Sequence, residues 1–173
     1  GTDPLWVLKS SFLEANHSIT AEAAEDEARK GMGSTVACAI VIGKSLYIAT
    51  LGDSRIYLIR DDVIRQLSID HTWVQEAIDH AIIQPDQARD HPQAHVLRRY
   101  IGAQRQTDPD MRLRLKTNES DKQSQANQGL SLQSGDTILL CSDGLTDLVD
   151  DDEIQQVLIE NDAAVDVIQG ILA

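Results

Sequence analysis

The sequence predicts an α+β fold, and three observations carry that reading. A segment of helical period opens the chain, four β-favouring apolar runs follow in close succession, and two aspartate-bearing turns stand where such runs stop. Over residues 3–19, Leu5, Trp6, Leu8, Phe12, Leu13 and Ile19 recur at helical spacing and Pro4 suits a first turn, so an amphipathic helix is expected with these side chains packed in the core. Residues 20–30 are charged and Ala-rich without a strong apolar face, and read as the helix end or a solvated connection. The period then changes. Runs 35–42 and 46–51, joined by Gly43-Lys44-Ser45, predict one hairpin, and 55–60 with 63–67, turned by Asp61-Asp62, a second. The four strands are expected to meander through one antiparallel sheet.

Helical segments are expected at 72–83 and 86–100, limited by Pro85 and Pro92, each of which removes a backbone donor. Residues 111–115 alternate apolar and basic side chains and read as a half-exposed strand. The polar stretch 117–129 reads as a mobile surface loop. After a turn at Ser134-Gly135-Asp136, residues 137–141 form a buried strand that stops at Ser142-Asp143-Gly144. One of Asp150, Asp151 and Asp152 is a natural N-cap for the helix that follows, and 163–172 reads as a last helix.

At 173 residues and 42% hydrophobic content the chain fits one domain spanning 1–173. Fifteen Lys+Arg against 28 Asp+Glu give a net charge of −13, which argues against a nucleic-acid or membrane partner and suits carboxylates gathered around cations. The two cysteines, Cys38 and Cys141, lie inside apolar runs, so reduced core thiols and a cytoplasmic location are expected. The chain opens without a basic stretch leading into an apolar run and holds no segment near the roughly 20 apolar residues of a membrane span, so a soluble, monomeric, non-exported protein is expected.

Two motifs carry candidate chemistry: Leu51-Gly52-Asp53-Ser54-Arg55 between two apolar strands, and Cys141-Ser142-Asp143-Gly144-Leu145-Thr146-Asp147 directly after one. Each puts a carboxylate at a strand end, where the sheet holds the backbone rigid while the side chain reaches a cleft, and the adjacent glycines permit close approach. Either alone is a common aspartate turn. Taken in order with Gly31-Met32-Gly33-Ser34-Thr35, Asp70-His71-Thr72, Leu97-Arg98-Arg99-Tyr100-Ile101-Gly102 and Gly135-Asp136, they resemble the motif series of the type 2C metal-dependent serine/threonine protein phosphatases, bacterial type, over about 31–149.

That resemblance implies a four-layer αββα sandwich, two antiparallel sheets flanked by helices, here as the C-terminal part with N-terminal strands missing. It further implies a metal cluster at one edge, Mn²⁺ or Mg²⁺ as cofactor, and phosphorylated proteins as substrates. Carried over by motif, Asp143 is similar to a ligand of the central metal pair and Asp53 to a ligand of a more weakly held third metal. Hard oxygen ligands and phosphoryl transfer suit such ions. Residues 73–94 fall where the family carries a variable flap. His71 is expected to be structural, Arg55 to orient a neighbouring carboxylate, and no residue is assigned a directly catalytic role. The family's Asn-Glu-Asp, Asp-Gly-x-Gly-Gly and final Asp-Asn motifs have no counterpart here, so this polypeptide by itself is expected to be inactive although its parent is a phosphatase. A pseudophosphatase that binds phosphoproteins without turnover, and a plain acidic interaction domain, are the competing readings.

Other chemistries fit poorly. Gly31-Met32-Gly33-Ser34 leads into a strand and lacks the Gly-Lys-Ser/Thr of a nucleotide loop. No arginine follows Cys38 or Cys141 at the spacing a cysteine phosphatase needs, and Asp108 with Asp110 is followed by Arg112 without a preceding buried strand, against an aspartyl-phosphate loop. His91 and His95 share helical spacing, but Pro92 lies between them with no evident acidic ligand, so zinc is a weak reading.

Overall fold

Each hairpin has apolar side chains on both faces, and the structure buries both by stacking the hairpins instead of joining them edge to edge. In the computed structural model, which describes residues 1–103 and 108–160, β1 (Val36–Ile42) pairs antiparallel with β2 (Ser45–Leu51), from Val36 opposite Leu51 to Ile42 opposite Ser45. β3 (Arg55–Arg60) pairs with β4 (Val63–Gln66) through a two-residue turn in which Asp61 and Asp62 both have positive φ, 51° and 59°. Such turns match the right-handed twist of the strands, and aspartate tolerates the left-handed region better than most residues. β5 (Leu130–Ser131) adds to β2 and β6 (Thr137–Cys141) to β3, giving two three-stranded sheets in the orders β1-β2-β5 and β4-β3-β6. Among the described residues β1 and β6 each pair on one side only.

The single meandering sheet is therefore corrected to two. Leu46 and Ile48 of β2 meet Ile56 and Leu58 of β3 face to face in one buried cluster, with Ala37, Ala39 and Ile138 against it. The chain changes sheets at Gly52, whose φ of +106° and position, with an added Cβ only 2.3 Å from Thr35 Cγ2, leave room for hydrogen alone.

The other face of the first sheet packs on α1 (Pro4–Glu25): Leu8, Phe12 and Ile19 cover Val36, Cys38, Ile40, Ala49 and Leu51. Asp3 caps this helix through Leu5 N–H at 3.0 Å, and the helix continues past 19 to Glu25. Trp6 is 64% exposed, against expectation, because it lies two residues, about 200° of helical rotation, from the Leu8–Phe12 face. On the far side, α5 (Asp151–Glu160) covers the second sheet: Ile154 is fully buried and Gln155 Oε1 accepts Ile64 N–H at 3.1 Å. Asp150 and Glu153 cap its start reciprocally, as the aspartate run predicted. The layer order is helix, sheet, sheet, helix, the α+β sandwich expected.

Three further elements differ from expectation. α2 covers only Trp73–Asp79, and 86–100 holds a 3₁₀ turn at Pro85–Gln87 followed by hydrogen-bonded turns in place of a helix. Besides the prolines, bridges Thr72↔Leu97 and Ser34↔Ile101 draw that segment along the sandwich rim. Residues 111–115 form no strand, since Leu113 N–H goes to Ser124 O and Arg114 N–H to Leu67 O, two unrelated partners. The stretch 117–129 is no solvated loop: α3 (Asp121–Ala126) starts on a Ser120/Gln123 capping box, Ser124 is buried, and the Gln128 amide bonds Ile48 and Met111. The helix expected at 163–172 lies outside the described residues.

Candidate metal centre

Register brings the two aspartate motifs together. Arg55 of β3 stands opposite Cys141 of β6 in an antiparallel pair, so Asp53, two residues before Arg55, and Asp143, two after Cys141, emerge at the same end of the sheet. Asp143 opens α4 (Asp143–Thr146), which the strand enters directly through Ser142. Both aspartates line one open cleft of about 510 Å³ with Asp70, Asp147, Asp150 and Asp151. Pro85, Ala88, Arg89, Asp90, Ala94 and His95, from the segment where a flap was expected, form its other wall.

Electrostatically the cleft is short of positive charge. Burial raises the pKa of Asp53, and the carboxylates of Asp143, Asp70 and Asp147 raise it further. Ligating atoms of His95, Asp143 and Asp147 lie within 4.8 Å of one another, all exposed, with His95 Nδ1 3.5 Å from Asp147 Oδ2. Arg55 does not relieve this. Its Nη2 meets Asp70 Oδ2 at 2.7 Å and its Nε the same oxygen at 3.0 Å, while Nη1 donates to the Tyr57 hydroxyl, which donates in turn to Asp151 Oδ1 at 2.8 Å. Burial alone disfavours the charge on Arg55, but Asp70 outweighs it and raises its pKa. Arg55 thus orients a carboxylate, as expected.

The turn that carries Asp53 is clamped from behind. Gly52 N–H donates to His71 Nδ1 at 3.0 Å, and His71 N–H donates to Gly52 O at 2.9 Å. Because Nδ1 accepts, the ring proton sits on Nε2, which donates to Asp110 Oδ2 at 3.0 Å. Asp110 also accepts from Arg112 Nε and from Arg112 N–H, each at 2.9 Å. Its burial favours the neutral acid, yet the bonds from His71 and Arg112 hold its pKa well below the usual carboxylate range. On the near side Thr35 Oγ1 and Ser54 Oγ are 2.8 Å apart. His71 is therefore a structural residue with a definite task, fixing the backbone next to Asp53.

Sequence reasoning found Asp53, Asp143, Arg55 and His71, and missed Asp70, Asp110 and His95. Asp70 belongs to the Asp70-His71-Thr72 motif, but its bond to Arg55 depends on the β3–β4 hairpin. In sequence Asp110 reads only as a candidate phospho-acceptor, a role its burial excludes in this structure. His91 and His95 part company, since His91 stacks on Trp73 at 4.7 Å between ring centroids while His95 turns to Asp147. Burial raises the pKa of both Cys38 and Cys141, which disfavours their thiolate forms.

Two stacked antiparallel sheets flanked by helices, with strand-end aspartates meeting in a cleft at one rim, define an α+β sandwich of carboxylate-cleft type. The family model for protein phosphatase 2C matches residues 1–77. The serine/threonine phosphatase stp of Listeria innocua is 33% identical over 151 residues, covering 87% of this chain and 54% of that protein. The crystal structure of the serine/threonine phosphatase Stp1 from Staphylococcus aureus superposes with a TM-score of 0.78 at 28% identity, over 98% of this chain and 60% of that one. The catalytic domain of the serine/threonine protein phosphatase PstP, in complex with two manganese ions, matches with a TM-score of 0.78 at 28% identity, over 99% of this chain and 66% of that domain. The chain is thus similar in sequence and fold to the protein phosphatase 2C family, and it spans about half the length of the curated relatives it matches.

Proposed function

We propose that this chain carries part of the metal centre of a protein serine/threonine phosphatase, in which Asp143 binds the central metal pair and Asp53 a third, more weakly held ion. The observation that carries the reading is the convergence of Asp53 and Asp143, from two different strand ends, on a cleft whose carboxylates already raise the pKa of Asp53. A carboxylate set of this kind fits a hard divalent cation, Mn²⁺ or Mg²⁺. When bound, such an ion supplies charge neutralisation of phosphoryl oxygens and an activated water. The chain's own part is positional: the His71–Gly52 clamp fixes the turn before Asp53, Asp70 holds Arg55 away from the carboxylates, and 85–95 walls the cleft.

Phosphoserine and phosphothreonine on proteins are the proposed substrates, supported by the relatives' being serine/threonine phosphatases. The same likeness favours hydrolysis over a pseudophosphatase. A monomeric protein of the cytoplasm without nucleic-acid or membrane partners completes the reading, supported by the net charge of −13 and two unpaired thiols. No helix among the described residues is long and apolar enough to cross a membrane.

The test is Mn²⁺ titration of the chain and of Asp53→Ala and Asp143→Ala, read by paramagnetic broadening of backbone amides at 52–54 and 142–147. Each substitution should weaken the broadening at both turns, and the full-length gene product should release phosphate from phosphoserine and phosphothreonine peptides only with Mn²⁺ or Mg²⁺. Unchanged broadening in both variants overturns the ligand assignment, and metal-independent turnover overturns the reaction class.

A further inference from the structure

Beside the acidic cleft lies a second cavity, of about 550 Å³, with the opposite character. Residues 68, 69 and 75 contribute to its wall, while 70, 72 and 74 of the same segment line the cleft. Three cations, Arg65, Arg114 and Lys116, face this second cavity, and its lining contains no Asp or Glu although the chain carries 28 of them. Most of the other described arginines differ. Arg29, Arg55, Arg60, Arg98, Arg99 and Arg112 each reach a carboxylate. Arg65 reaches only the carbonyl of Leu115, and Arg89 alone is bonded in the same way, to the carbonyl of Asp147.

Arg114 is the more telling case. Its backbone is pinned, N–H to Leu67 O at 2.9 Å, and its Nε is buried without a hydrogen-bond partner, the one such side-chain atom among the described residues. A buried guanidinium donor left unmade is unfavourable, and natural structures satisfy such a group with a water, an ion or a ligand. Gln66, Ser68, Gln75 and Thr117 add neutral polar groups to the same wall.

We propose that this cavity is an anion site that takes a phosphate group, held by the guanidinium groups of Arg65 and Arg114 and the ammonium of Lys116. Three cations with no carboxylate in the lining favour a dianion over a carboxylate, and two guanidinium forks suit tetrahedral oxygens. The site is separate from the metal cleft and does not depend on the assignment of Asp53 and Asp143. Inorganic phosphate and a phosphorylated side chain present the same group, and experiment separates them.

The chain, metal-free and at constant ionic strength, is titrated with inorganic phosphate, with a short phosphoserine peptide and with the same peptide unphosphorylated, following the Arg114 side-chain N–H signal and the amides of 65–69 and 114–117. Saturable shifts at these positions are expected with phosphate groups and not with the plain peptide. The better binder of the two identifies the source. Arg65 is exposed, so Arg65→Gln should keep the fold and weaken binding about 10-fold, and Arg114→Gln should do likewise. Lys44→Gln, which removes an equal charge from the β1–β2 turn, should leave binding unchanged. Absence of saturable shifts in both phosphate series overturns the site. So does an equal loss in Lys44→Gln, which would mean bulk charge alone, or unchanged binding in Arg65→Gln with Arg114→Gln unfolded or equally unaffected.

Discussion

Replacing Asp110 with alanine should destabilise the fold by about 3 kcal/mol. Asp110 is 6% exposed and accepts bonds from His71 Nε2, Arg112 Nε, Arg112 Nη2 and Arg112 N–H, with Arg99 Nη1 at 3.7 Å. Removing one partner of a buried ion pair typically costs about 3–5 kcal/mol, because the other charge stays behind without compensation. The low end applies here, since Arg112 keeps Asp121 at 2.8 Å and has a side chain 18% exposed. For a chain of this length about 1 kcal/mol corresponds to roughly 2–4 °C, so the midpoint should fall by about 6–12 °C at pH 7. Thermal unfolding followed by circular dichroism on wild type and Asp110→Ala measures it. The pH dependence has a definite sign. The folded pKa of Asp110 lies below its unfolded value, so its contribution is complete above the unfolded pKa of about 3.9 and is lost as pH falls toward the depressed folded value. The gap between the two proteins should therefore be constant from neutral pH down to about pH 5 and close below about pH 4. A gap under about 1 kcal/mol at pH 7, or one that widens on acidification, would refute the reasoning.

Gly52→Ala should be comparably harmful, by about 2–4 kcal/mol in urea unfolding, because the added methyl meets Thr35 Cγ2 at 2.3 Å on a backbone with φ of +106°. Pairing it with Thr35→Ser, which removes that methyl, should recover part of the loss. Tyr57→Phe deletes the hydroxyl that joins Arg55 to Asp151, at 3.0 and 2.8 Å, and should lower stability by about 1–2 kcal/mol by the same assay. Ser120→Ala removes the cap of α3 and should lower stability by about 1 kcal/mol, with faster amide exchange confined to 121–127.

Much of the sandwich could be read from the chain because its strands are short continuous apolar runs bounded by turn residues, and β1 to β4 and β6 all lie within or beside the expected ranges. What could not be read was which strands stack and which pair. A hairpin apolar on both faces is equally compatible with a wide sheet and with two layers, and only the conformation at Gly52 decides. Residues 86–100 carried helical spacing that the rim bridges of Leu97 and Ile101 override. The stretch 117–129 did hold a legible signal, Ser120-x-x-Gln123, hidden by the polarity around it. At the cleft, Asp53 and Asp143 were legible as strand-end carboxylates. Asp110 and His95 were not, since their partners lie 39 and 52 residues away in sequence.

The open sides of β1 and β6 bear on how the molecule behaves in concentrated solution. Each presents backbone donors and acceptors with no neighbouring strand among the described residues, and Val41, Ile42 and Leu140 stand 53%, 52% and 44% exposed on those strands. Such borders are templates on which a second copy can continue the ladder. Mutual repulsion from the net charge of −13 opposes that encounter, and salt screens repulsion over about 10 Å at 0.1 M. Colloidal stability of this chain is thus a contest between sticky borders and like charge, and light scattering should report growing particles as ionic strength rises or as pH falls toward the isoelectric point near 4.6.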